Sequence, residues 1–308
     1  MWFKNLHLFR FLHPVTLSAD DLNEQLTESA FQPCGKMDME TMGWVPPLSR
    51  ESESLVHAIN NCIIFTARKE EKILPASVVR EFVNEKVEEI ETQQMRKVRK
   101  REKDEIREEV LHDLIPRAFT RSTYLSAYID VTQGWLMIDT PSHKRAEELT
   151  SFLRQTVGSL PVVVPKLQQN LGNVMTQWLI NQNHCPADLE LADACVLTDQ
   201  DGAVVNCKRQ DLLAEEMHGH LTAGKSVKRL ALEWNDRLAF ILDDELVIRR
   251  LQLLDLVQAQ LNDTESETST QRFDADFSIM TLELAALIKR LLEIFGGEDE
   301  AAFMPKMR

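Results

Sequence analysis

The sequence predicts an α+β protein, with strands joined by short turns and helices gathered in separate stretches. Three observations carry this. Short apolar or alternating runs bounded by turn residues recur along the chain. A block from Pro75 to about Asp113 is almost wholly helix-forming and charged. The 308 residues are 44% hydrophobic, enough to bury the cores of two domains.

Taken in order, an apolar-rich strand over Trp2 to Leu12 leads through Pro14 to a helix that Ser18 can cap, running to about Phe31. Strands follow at Gly43 to Pro46 and at Cys62 to Ala67. In the charged block, Val79, Val83, Val87 and Ile90 form a narrow apolar stripe that vanishes between Val98 and Ile106. The block therefore reads as a projecting helical arm, broken into a hairpin at its tip. After Pro116, TYLSAYIDV and WLMIDT flank Thr132-Gln133-Gly134, a hairpin signal. A helix from Lys144 to Val157 stops at Gly158, and the strand SLPVVV completes the unit. Residues 1–74 and 117–166 are thus expected to form one α+β domain, with the arm at 75–116 inserted.

Residues 167–308 read as a second α+β domain. A short helix surrounds Trp178, and strands near CVLTD and AVVNCK meet at Asp201-Gly202, a turn dipeptide. A helix over 210–222 ends at Gly224. Two long strands, VKRLALEW and RLAFILDDELVIRRL, meet at Asn235-Asp236. The stretch 262–271, NDTESETSTQ, reads as a linker. Phe277, Met280, Leu284, Leu287, Leu291 and Phe295 form the core seam of a last helix, with a dimer contact as the second use of that seam.

Composition narrows the class. No apolar run approaches the roughly 20 residues of a membrane span, and Lys4, Asn5, His7 and Arg10 interrupt the opening segment, so it does not read as a signal peptide. Five scattered cysteines without a CxxC pair suit reduced thiols in a cytoplasm and argue against structural zinc. The net charge is −14, yet Arg96 to Lys103 reads RKVRKREK, six basic side chains in eight positions. Such segregation suits the docking of something negative, nucleic acid above all. Flanking glutamates also allow a solvated helix face, and charge alone favours that plainer reading.

Gly219 to Ser226 spells GHLTAGKS, a full match to the phosphate-binding pattern GxxxxGK[ST], with the acidic segment LAFILDDE downstream. A nucleotide-hydrolysing site needs a strand before this loop and a helix after it. Here the helical stretch comes first and the alternating strand second, so Gly224 reads as a helix C-cap. His218 and His220 lack the spacing of helical metal ligands. No nucleophile pattern occurs. The residues therefore offer no catalytic site, no metal and no cofactor.

The segment closing the arm, LIPRAFTRS, places Arg117, Phe119 and Arg121 just after Pro116, which must turn the chain out of its helix. Two arginines around an exposed ring could clamp phosphates while the ring stacks on a base. For the motif in isolation, a buried phenylalanine is the commoner outcome.

MWFKNL at the start, GWVPP (43–47), ARKEEKILP (67–75), LIPRAF (114–119), GSLPV (158–162), KRQDL (208–212), QRFDADF (271–277) and ELAALI (283–288) occur in order from end to end. Together these blocks resemble RdgC, the recombination-associated DNA-binding family of proteobacteria. The resemblance implies a ring-shaped homodimer that encircles double-stranded DNA without sequence preference, is nucleoid-associated in the cytoplasm, and restrains RecA-promoted recombination by competing for DNA. Single-stranded DNA remains open as a further ligand, and catalysis is not implied. By the resemblance, Arg117 and Phe119 fall on a finger-like DNA-contacting motif. Arg209, where Lys is also expected, and Gln210 match a second contact region. Arg121 joins them as the second arginine bracketing the ring, and charge alone adds Lys208, Lys225, Lys228 and Arg229, and, on the arm, Arg96, Lys97, Arg99 and Lys100. The competing readings are an ATPase using Gly219 to Ser226 and a protein-interaction scaffold built on the arm.

Overall fold

The structure, a computed structural model, describes residues 2–48, 52–262 and 268–299. The chain opens with β1 (His7–Phe11) and α1 (Ala19–Thr27), whose N-terminus is capped by the Ser18 hydroxyl accepting from the Asp21 N–H at 3.1 Å. β2 (Glu40–Val45), β3 (Val56–Ile59) and β4 (Cys62–Lys72) follow. The arm is a helical hairpin of α2 (Ala76–Gln94) and α3 (Lys100–Leu114). The chain returns as β5 (Thr120–Asp130), β6 (Trp135–Ile138), α4 (His143–Val157) and β7 (Val162–Val163).

The seven strands form one antiparallel sheet, ordered β2-β4-β5-β6-β1-β7, with β3 also paired to β4. Strand alternation gives this sheet two buried faces. Phe9, Ile63, Phe65, Ala127, Ile129, Leu136 and Ile138 face one core, shared with α1 and α4. Leu8, Cys62, Ile64, Tyr128, Trp135 and Met137 face another. That second face is covered by the C-terminal half of the chain.

In the arm, Val79 and Val83 pack on Ile106 and Val110 in a small core of their own. Nineteen residues of α2 extend about 28 Å at 1.5 Å per residue, so the tip stands well away from the sheet. The helix breaks earlier than the fading stripe suggests, at Met95 (φ 53°), and Val98 just beyond the turn already packs against the arm's core.

The C-terminal half contains α5 (Leu171–Ile180), β8 (Leu189–Thr198), β9 (Val204–Lys208), α6 (Glu215–Thr222), β10 (Ser226–Trp234), β11 (Leu238–Asp243), β12 (Ile248–Leu253), α7 (Asp255–Asn262) and α8 (Ser269–Ile294). Its antiparallel sheet is ordered β12-β11-β10-β8-β9. The segment RLAFILDDELVIRRL is therefore two strands and not one. Asp243 turns the chain, its carboxylate accepting from the N–H groups of Glu245 and Val247 at 3.1 and 2.8 Å. The helix expected over 210–222 begins only at Glu215. Within the expected linker, residues 263–267 lie outside the described residues, and Ser269 to Gln271 already belong to α8, behind a Thr268–Gln271 capping box.

The core between the sheets is organised by α8. Phe277, Met280, Leu284, Leu287 and Leu291 are buried there, and Phe277 meets Tyr128 of β5 edge-on at 5.7 Å. Arg290 holds Asp188 through two hydrogen bonds of 2.7 and 2.8 Å, which keep that carboxyl below its usual range. Arg237 similarly engages Glu283. The N-terminal segment joins the two sheets: Leu6 pairs reciprocally with Ile248 of β12, and the chain then enters the first sheet as β1. The single strand expected over 2–12 thus changes sheets at its midpoint, and only 7–11 stay in the first.

None of the helices among the described residues is long and apolar enough to cross a membrane. The five cysteines are free, and burial pushes the thiols of Cys62 and Cys195 up to about 12.

Candidate nucleic-acid interface

The structure sorts the candidate residues into three places. The first is the neck, where the arm rejoins the sheet. After α3, Ile115 to Arg117 make one 3-10 turn and the chain straightens into β5. Proline 116 supplies the reason, since it cannot continue the helical hydrogen bonding. Phe119 emerges here with 84% of its surface exposed. Its carbonyl accepts from the Ile73 N–H at 2.7 Å, which fixes the backbone beneath the ring. Arg117 is exposed and carries no ion pair among the described residues. Arg121 instead engages Glu71 at 3.1 Å, so part of its charge is already answered.

A polar network stiffens this ribbon. The Glu70 carboxylate is buried and accepts from the Cys34 N–H at 3.0 Å and from Arg68 at 2.9 Å; these bonds, the Cys34 N–H first, hold it below the usual carboxylate range. Arg68 also lies over the Phe31 ring at 4.1 Å and donates to Ser122. A mount of this kind holds an exposed ring in place, so that little further ordering cost attends any contact the ring makes.

The second place is the arm tip. Arg96 holds Glu102 in a two-pronged ion pair, and Lys97 reaches Glu91 at 2.7 Å. Both carboxylates sit below their usual range because of these bonds. The pairs close the turn between α2 and α3. Arg99 and Lys100 begin α3 and have no ion pair among the described residues.

The third place is the C-terminal sheet. Lys208 ends β9, and Arg209 follows in a left-handed conformation (φ 52°). The Gln210 N–H donates to the Asp193 backbone carbonyl at 3.2 Å and its side-chain amide to Glu216 at 2.9 Å. Lys225 is committed to Asp199 at 2.5 Å, and Lys228 to Asp244 at 3.4 Å. Arg229 has a buried Nε without a hydrogen-bond partner among the described residues.

The GHLTAGKS segment lacks the geometry of a phosphate-binding loop. α6 precedes Gly224 and β10 follows it; Gly224 takes φ 89° as a helix terminator, and its neighbour Lys225 closes onto Asp199. Among the described residues a strand, β10, and not a helix N-terminus follows the loop, so the ATPase reading loses its structural basis. Among the described residues, no group of three or more His, Cys, Asp or Glu side chains is placed to hold a metal ion.

Sequence reasoning missed Arg249 and Arg250 of β12, together with Asn5 and Asn206, which line one cavity with Lys208 and Arg229. The Arg-Arg dipeptide was visible, but a single long strand would have placed its two side chains on opposite faces.

Comparison with known proteins agrees with the blocks quoted from the sequence. A sequence model of the family described as "Putative exonuclease, RdgC" matches residues 1–298. Proteins named "Recombination-associated protein RdgC" from Yersinia pestis (strain Pestoides F) and Yersinia pseudotuberculosis (serotype O:1b, strain IP 31758) are each 44% identical over 302 residues, covering 97% of this chain and 99% of the relative. The Yersinia enterocolitica protein of the same name is 43% identical over the same span. With an end-to-end family match and this degree of identity to full-length relatives, the chain belongs to the RdgC family.

Proposed function

We propose that the protein binds double-stranded DNA without sequence preference, as a homodimer that closes a ring around the duplex, and that it restrains RecA-promoted recombination by occupying DNA. The observation that carries the reading is Phe119, 84% exposed on a braced ribbon beside Arg117, which has no ion pair among the described residues. An aromatic of this size is normally buried, and its exposure beside a free guanidinium suits base stacking or wedging together with phosphate contact. Stacking would serve single-stranded DNA as well.

The charge pattern supports enclosure. A chain with net charge −14 repels DNA over most of its surface, so affinity must come from a limited set of cations turned toward the duplex. Arg117, Lys208, Arg209 and Arg229 carry no ion pair among the described residues, and they are the preferred phosphate contacts. Lys225, Lys228, Arg121, Arg96 and Lys97 are secondary, because carboxylates already hold them. Such contacts read backbone and shape, not base edges. The reading assigns no catalytic step, and places the protein on the nucleoid.

Mass in solution and retention on DNA test it together. The expected species has twice the 35.4 kDa chain mass. Once loaded, it should stay on closed-circular DNA through a salt wash that strips it from linear DNA of equal length. A monomeric mass, or equal retention on both forms, contradicts enclosure.

A further inference from the structure

The outer face of the C-terminal sheet, turned away from the core, carries a cavity of about 300 Å³. Its lining includes Lys208, Arg229, Arg249, Arg250, Asn5 and Asn206, and no acidic side chain. In a chain with 49 acidic and 35 basic residues, a pocket lined by four cations, of which Arg249 alone is held by a carboxylate among the described residues, that of Asp243, is a departure from the prevailing charge.

The backbone explains how four cations reach one face. Pairing of β10 with β8 shifts register between Val227 and Arg229, inserting Lys228 as an extra residue. Pairing of β11 with β12 shifts likewise, Ala239 facing Gln252 while Ile241 faces Arg249. The extra residue there falls at Arg250, which adopts φ 51°, a conformation non-glycine residues seldom take. Each bulge cancels one step of the strand alternation. Arg249 and Arg250 therefore line the same cavity while Ile248 and Leu251 on either side stay buried. Strained, bulged backbone that gathers like charges is unfavourable without a compensating ligand.

The groups inside are unevenly satisfied. Arg249 is anchored, its Nε and Nη2 donating to Asp243 at 3.0 and 2.9 Å. Arg229 is not: its Nε is buried without a hydrogen-bond partner among the described residues, and a buried donor left unmade costs stability. The side chains of Lys208 and Arg250 form no ion pair among the described residues. Asn5 is held in place by its N–H donating to Asp139 at 2.8 Å and by its side-chain oxygen accepting from the Arg250 N–H at 3.3 Å. Two guanidinium groups without an ion pair among the described residues, an ammonium and two amides around one small cavity match the charge and the acceptor-rich surface of a phosphate group.

We propose that this bulge-built groove is a phosphate site in which Arg229 and Arg250 are the principal ligands and Arg249 a fixed wall. The proposal rests on the DNA-binding reading only for the source of the phosphate: a phosphodiester of DNA under that reading, a free phosphate or pyrophosphate otherwise.

The test uses the full chain and the variants Arg229→Gln, Arg250→Gln and their double. Both replacements keep hydrogen-bonding side chains and break no ion pair, so the melting temperature should hold or rise. If DNA supplies the phosphate, the double variant binds duplex at least tenfold more weakly, with a salt slope shallower by about two, one for each lost phosphate contact. If a free anion is the ligand, millimolar inorganic pyrophosphate raises the melting temperature of the wild type and not of the double variant. Wild type that does not bind DNA yet is protected by pyrophosphate would sink the DNA reading and keep the site. Equal DNA affinity and slope in the double variant, with no pyrophosphate effect on the wild type, overturns the site and leaves the DNA reading standing. Should the double variant fail to fold, the two single variants carry the same comparisons with about half the change in slope.

Discussion

Replacing Phe119 by alanine is expected to weaken DNA binding by about 1–3 kcal/mol for each base the ring contacts, while leaving the melting temperature close to that of the parent. The ring is 84% exposed, so its removal opens no cavity and takes little apolar area out of the protein interior. The backbone below it is held independently, through the Phe119 carbonyl and the Ile73 N–H. Arg117→Ala should also reduce affinity, with a shallower dependence on salt, since a guanidinium acts on phosphate charge and a phenyl ring does not. Paired melting and DNA titration at two salt concentrations separate these effects. A Phe119→Ala protein that melts far below the parent, yet binds DNA normally when folded, would show that the ring serves packing.

The opposite signature is expected at Phe277. This residue is 1% exposed in the core between the sheets, edge-on to Tyr128 and stacked with Phe273 at 5.9 Å. Phe277→Ala removes a large side chain from a site walled by α8 and β5, and should cost about 3–5 kcal/mol of unfolding free energy. Leu282→Ala, on the same helix but 64% exposed, should change stability by no more than about 0.5 kcal/mol. Urea unfolding of the two variants beside the parent checks the contrast. Equal stability in Phe277→Ala and the parent would mean that α8 does not hold the two sheets together.

Much of the fold could be read from local pattern, because the relevant signals are local. Ser18 before an apolar repeat, Gly158 after one, and Thr132-Gln133-Gly134 between two apolar runs each report geometry set within a few residues. The helical arm showed in composition alone. β3 escaped notice although Asn60-Asn61, both at positive φ, form the two-residue turn into β4. The stronger run CIIFTA masked its weaker partner.

What was not legible depends on pairing across the chain. Nothing in WFKNLHLFRFL marks the point where pairing changes from β12 to β6, because both partners lie more than a hundred residues away. The bulges at Lys228 and Arg250 are likewise fixed by neighbouring strands. The site divides in the same way. Phe119 and Arg117 stand out because Pro116 ends a helix just before them. By contrast, the neutralisation of Arg96 by Glu102, Lys97 by Glu91 and Lys225 by Asp199 is settled through space. A count of charges does not show which lysines and arginines are held by carboxylates, nor that Arg249 and Arg250 line one cavity.

Titration of the full-length protein against two duplexes of equal length and unrelated sequence, from about 50 to 200 mM salt, tests the central claim most directly. Neutralisation of about six to ten phosphates per dimer predicts a slope of log K against log salt near −5 to −9, the same for both duplexes. A slope close to zero, or strong preference for one sequence, contradicts the account.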